Sequence, residues 1–151
     1  MDQTSQELDR HVRKFVYDQA MQRGSLPSLA ETSTALSISL ADVQSAFQRL
    51  AVRHILVLQP ENGEILMANP FSAVPTPFLV ELEAFSCFGN CIWDSLGIAA
   101  LLERDVRIKT ACGDCGTALE LSVVDGRVQG DLGIIHFALP ALRWWEDIVF
   151  N

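Results

Sequence analysis

The sequence lacks any apolar run of the roughly 18 residues that a membrane helix requires. It also lacks a charged-then-apolar leader, because Met1–Arg10 is polar and acidic. The expectation is a soluble, cytoplasmic protein with no membrane partner. Glycine and proline are few, nine and six in 151 residues, and no low-complexity tract occurs, which excludes collagen-like and linker-like chains. Positive charge is scarce too. Eleven Lys and Arg against nineteen Asp and Glu leave a net charge of -8, a field that repels phosphate backbones and anionic headgroups, so nucleic-acid binding is disfavoured. What is present is apolar: 49% hydrophobic and 20% charged residues are the proportions of a packed globular chain. The length admits one ordinary domain or two very small ones.

Residues 7–22 place Leu8, Val12, Phe15, Val16 and Met21 at helical spacing, predicting an amphipathic helix closed by Gly24 and Pro27. Ser28 is a suitable N-cap for a short second helix, with Leu29, Thr32 and Leu36 along one side. Ser39 caps a third, whose inward stripe is Leu40, Val43, Phe47, Leu50 and Ala51. Two apolar runs, Ile55–Leu58 and Glu64–Met67, flank Asn62-Gly63 and predict a β-hairpin. Three helices and a hairpin in this order make a winged-helix-like module over residues 1–69. That order is also used to bind DNA, but the third helix offers only Arg49 and Arg53 as cations and carries Asp42, so packing is the better reading.

A proline-punctuated connector spans 70–77. Beyond it, residues 78–151 predict strands at Phe78–Phe85, Asp105–Ala111, Ala118–Val124 and Ile134–Leu139. A helix at Asn90–Leu102 and a terminal helix at Pro140–Phe150 complete this second, mixed module, a central helix packed on strands. The fold class is α+β.

All four cysteines, Cys87, Cys91, Cys112 and Cys115, fall within 29 positions, and in a reducing compartment they are thiols or metal ligands. Cys91 and Asp94 form Cys-x-x-Asp at a helix start, a spacing that puts both side chains on one face. The helix dipole there favours a thiolate, which would set a soft nucleophile beside a proton-carrying group. The competing reading is a dipole-favourable acid next to a small apolar thiol. Cys112 and Cys115, with Gly113 and Gly116, have the form of a zinc knuckle, which Cys87 and Cys91 could complete as a four-cysteine site. Among the other polar residues, His11 and His54 fit surface or capping positions. His136 alternates with apolar neighbours, as a core histidine in a strand would. Trp93 is expected in the core. Trp144 and Trp145 either close the core from a terminal helix or wall an apolar pocket for an organic group.

The segment Asn90-Cys91-Ile92-Trp93-Asp94-Ser95-Leu96-Gly97-Ile98 resembles the active-site segment of the alkylmercury (organomercurial) lyases. Gly63–Ser72, His136–Pro140 and Trp144–Ile148 resemble the same family, and Cys112 stands where that family carries a further cysteine. The likeness extends over residues 10–151, including the winged-helix-like start. It implies protonolysis of carbon–mercury bonds, with Cys91 as thiolate and Asp94 as proton donor. Mercury is then the substrate ion, cellular thiols are partners and no cofactor is required. It also implies a second catalytic cysteine near the C-terminal end, beyond Val149–Asn151. Activity is therefore expected to be impaired unless the chain continues, a selenocysteine follows, or another thiol, Cys115 or Cys87, takes that place. The expected metal-binding residues are Cys91, Cys112 and Cys115. The alternatives are a non-catalytic thiol protein binding zinc or mercury, and a winged-helix regulator.

Overall fold

The computed structural model describes residues 3–130 and 133–149. Its helices and antiparallel sheet make it an α+β protein. Helix α1 (Gln3–Arg23) buries Val12, Val16 and Ala20 at fourfold spacing and stops at Gly24, whose φ is +71°. A β-carbon at Gly24 would stand 2.4 Å from the Ser86 carbonyl oxygen, so the glycine serves both as the left-handed stop and as the point where α1 abuts the sheet. Helix α2 (Leu29–Leu36) opens with a capping box between Ser28 and Glu31. Helix α3 (Leu40–Val52) is capped by Ser39 and buries Val43, Ala46, Phe47 and Leu50. The expected hairpin follows as β1 (Val57–Leu58) and β2 (Ile65–Ala68). Arg49 and Arg53, the cations of α3, both turn to the buried Asp9 of α1. Arg49 donates at 2.7 and 2.9 Å and Arg53 stands at 4.0 Å.

The chain continues through β3 (Phe71–Ser72), β4 (Leu79–Glu81), β5 (Ser86–Gly89), helix α4 (Ile92–Leu102), β6 (Val106–Ala111), β7 (Ala118–Val124) and β8 (Arg127–Gly130). All eight strands form one sheet in the order β1-β2-β3-β5-β4-β6-β7-β8, every neighbouring pair antiparallel. Two apolar cores rest on it. The first joins α1–α3 to the hairpin around Phe47, Leu50 and Leu56. The second seats α4, through Ile98 and Ala99, on Phe71, Val80, Cys87 and Ile108. Ala20 of α1 belongs to this second core, so one helix runs along both.

Several sequence expectations need correction. Phe78–Phe85 is not one strand: β4 ends at Glu81 and a tight turn, with the Leu82 amide donating to the Phe85 carbonyl at 2.9 Å, reverses the chain into β5. Helix α4 begins at Ile92 rather than Asn90, because Cys91 is its N-cap. Ile134–Leu139 forms no strand; Ile134 is 94% exposed, and alternation without a buried face to fill does not make a ladder. The terminal helix is a 3₁₀ turn over Ala141–Glu146, with no side-chain cap after Pro140. Its adjacent tryptophans face different partners, so it has no single apolar stripe to bury. Phe150, the expected end of that helix, lies outside the described residues. No helix among the described residues is long and apolar enough to cross a membrane.

Candidate active site

Strand β5 runs directly into the α4 N-terminus, and the junction fixes Cys91. Gly89 makes the turn into the helix feasible. A β-carbon there would lie 2.5 Å from Ser95 Oγ and 2.9 Å from the Ser95 amide nitrogen, so only glycine admits this approach. The Cys91 backbone is extended, with φ −148°, as an N-cap requires. Its carbonyl accepts from both the amide and the hydroxyl of the fully buried Ser95, each at 3.0 Å. The Cys91 sulfur in turn accepts from the Asp94 amide at 3.5 Å. Thiol and carboxyl thus share the first turn of one helix, as their spacing predicted.

The electrostatics of the pair differ from the dipole argument. Burial raises the Cys91 thiol above its ordinary range; the Asp94 amide opposes this, and the nearby Asp94 carboxylate adds to it. Desolvation outweighs the helix terminus. Asp94 is raised as well, by burial first, with opposing hydrogen bonds from Asn90 and Cys91. Both groups therefore hold their protons more tightly than in water.

Asn90 was not singled out in the sequence. Its Nδ2 donates to Asn69 Oδ1 at 3.0 Å and to the Pro70 carbonyl at 3.3 Å, while Tyr17 holds the Asn69 carbonyl from α1 at 3.1 Å. Its buried Oδ1 has no partner among the described residues. The Asn-Cys step before a helix was the available signal, but residues 69–70 that complete the contact are distant in sequence.

The remaining cysteines separate. Cys87 is buried in the second core and pushed up to about 11 by desolvation, so it stays a protonated thiol. Cys112 and Cys115 sit in the turn between β6 and β7, half-buried and exposed respectively. Hydrogen bonds from Thr117, then from Cys112, bring Cys115 down to about 7. All four thiols are free, and no three His, Cys, Asp or Glu among the described residues converge to hold a metal ion. The four-cysteine zinc site is therefore not formed: one of its members is packed in the core and two stand on a separate hairpin.

Trp93 is 56% exposed rather than in the core. It meets Phe137 edge-on at 6.3 Å, and Phe137 meets Trp144 at 5.0 Å, giving an aromatic row beside the Cys91 turn. Trp145 stacks on His54 at 4.0 Å. His11 and His54 are exposed, and so is His136, which is not a core histidine. Clefts of about 570, 410 and 590 Å³ lie along α1 and α3, at the far end of α4, and along α1 and α2; neither Cys91 nor Asp94 lines them.

A half-buried thiol capping a helix, three residues ahead of a carboxyl with a raised pKa, defines a thiol–acid centre suited to a soft electrophile. The family model for alkylmercury lyase matches residues 71–150, more than half of the chain, and the chain belongs to that family. A solved structure, that of the mercury-bound form of MerB2, superposes with a TM-score of 0.61 at 24% identity, over 82% of this chain. This shows the shared fold. The chain spans 58% of the length of that protein. No curated protein matches the sequence.

Proposed function

We propose that this chain cleaves carbon–mercury bonds by protonolysis at Cys91 and Asp94. The observation that carries the reading is the Asp94 carboxyl, raised by burial and sharing the first helical turn with the Cys91 sulfur. An organomercury cation is soft and exchanges the thiol proton for a sulfur–mercury bond. That exchange costs less here than forming a bare thiolate, because the metal cation replaces the proton and no buried anion is left. A second sulfur, from a cellular thiol, raises the electron density at mercury and weakens its bond to carbon. The Asp94 carboxyl then gives its proton to the carbon, which keeps the bonding pair and leaves as hydrocarbon. Hg²⁺ remains on sulfur and Asp94 takes up a proton from water. Protonolysis itself consumes one proton, the two thiols release two as they bind mercury, and neither an oxidant nor an organic cofactor enters. Trp93 and Phe137 provide apolar surface for the departing group.

The test is release of methane from methylmercury, or benzene from phenylmercury, with excess thiol. The parent chain should release hydrocarbon. Cys91→Ser should abolish release, and Asp94→Ala should lower it by about 10²–10⁴-fold, the usual weight of a positioned acid. A parent chain that binds mercury through Cys91 but releases nothing would make it a thiol-based binding protein instead.

A further inference from the structure

The protonolysis reading uses neither Cys112 nor Cys115, yet their placement is specific. Strand β6 ends at Ala111 and the chain reverses over six residues into β7. The Cys112 amide donates to the Thr117 carbonyl at 2.8 Å, and the Gly116 amide donates to the Cys112 carbonyl at 2.9 Å. Gly116 takes φ +70°, which lets so short a turn close. These bonds close the turn so that Cys112 and Cys115 share it, three residues apart, and Cys115 Sγ lies 3.1 Å from Thr117 Oγ1. No described residue stands within 4 Å of a β-carbon built at Gly113 or Gly116 beyond their chain neighbours, so there is open space at the tip.

We propose that Cys112 and Cys115 form a two-thiolate acceptor site for inorganic Hg²⁺. Two thiols in one tight turn, with no third His, Cys, Asp or Glu converging on them among the described residues, suit a thiophilic ion that is satisfied by two-coordination. They do not suit zinc, which asks for a closed set of four. Each thiol releases its proton to water as its sulfur–mercury bond forms, so one ion binds, two protons leave and no redox step occurs. Sheet register places this tip near the α4 centre: Phe88 of β5 and Lys109 of β6 both pair with Leu79. The two strands run in the same direction, two inter-strand spacings or about 10 Å apart. Cys91 and Cys112 therefore leave the same end of the sheet.

The test uses the full, reduced chain in a Cys91→Ser background, titrated with mercuric chloride against glutathione. Bound mercury is measured after gel filtration, together with the mercury–thiolate absorption in the ultraviolet. Cys91→Ser should retain one mercury per chain. Adding Cys115→Ser, an exposed near-isosteric change, should weaken retention at least about tenfold, because the second sulfur then loses its high effective concentration. Adding Cys112→Ser should do the same. Undiminished retention in either double variant overturns the proposal, and so does zinc surviving gel filtration in a parallel titration with zinc chloride. A Cys112–Cys115 disulfide that persists in glutathione overturns it as well. Hydrocarbon release is measured separately: its absence from the parent chain ends the lyase reading, while the inorganic titration still decides this one.

Discussion

Replacing Gly89 with alanine tests whether strand β5 and helix α4 meet as closely as described. The added carbon would sit 2.5 Å from Ser95 Oγ and 2.9 Å from the Ser95 nitrogen. Ordinary contact begins near 3.4 Å, so the hydroxyl must retreat by about 0.9 Å and the backbone by about 0.5 Å. The hydroxyl can rotate only by giving up its bond to the Cys91 carbonyl, which costs about 1 kcal/mol. The backbone can move only by shifting the first turn of α4. Overpacking of this kind costs about 1–3 kcal/mol, a fall in Tm of about 3–10 °C for a chain of this size. Urea and thermal unfolding followed by circular dichroism would measure it. Ser95→Ala in the same chain removes the hydroxyl clash but not the backbone one, so the double variant should recover part of the loss and no more. Unchanged unfolding in Gly89→Ala, or full recovery in the double variant, would refute the close approach that positions Cys91.

Asp94→Asn should be more stable than the parent at neutral pH. The raised carboxyl contributes stability below its unfolded pKa and loses it as pH rises through the folded value, so the two proteins should converge in acid. A parent that gains stability relative to Asp94→Asn as pH rises would reverse that sign. Alkylation with iodoacetamide, mapped by mass spectrometry near pH 7, should reach Cys115 first, Cys91 more slowly and Cys87 last, given thiols near 7, raised, and about 11. Labelling of Cys91 ahead of Cys115 would contradict the burial assigned to it. Asp9→Ala should cost about 1–3 kcal/mol by stripping Arg49 of its paired carboxylate, and a loss below 0.5 kcal/mol in urea unfolding would show that this pair stabilises nothing.

The N-terminal elements were legible because their signals are local. Ser28 with Glu31, Ser39, and Asn62-Gly63 each specify a cap or turn within four residues. The β4–β5 reversal was hidden because Glu83-Ala84 is not turn-forming chemistry; the surrounding strands impose it. Cys91 and Asp94 were legible as a pair, since helix periodicity alone joins them. The direction of the thiol shift was not: the dipole belongs to the local sequence, whereas burial depends on how the rest of the chain packs around the turn. Asn90 was missed for the same reason. Phe137 and Trp93 were legible only as apolar residues, because their meeting needs the path of residues 133–149.

The shared sheet bears on how such a protein can be inherited. The stretch that the family model matches starts at Phe71, inside β3, whose far neighbour is β2 of the first half. A gene fragment encoding that stretch alone would keep Cys91 and Asp94 but uncover the outer edge of β3, an invitation to pair with another chain. It would also lose Ala20, Met21 and Leu26 from the second core. The segment by which kinship is recognised is thus smaller than the segment that must travel together, and recombination near residue 70 should be selected against even though it spares every reactive group.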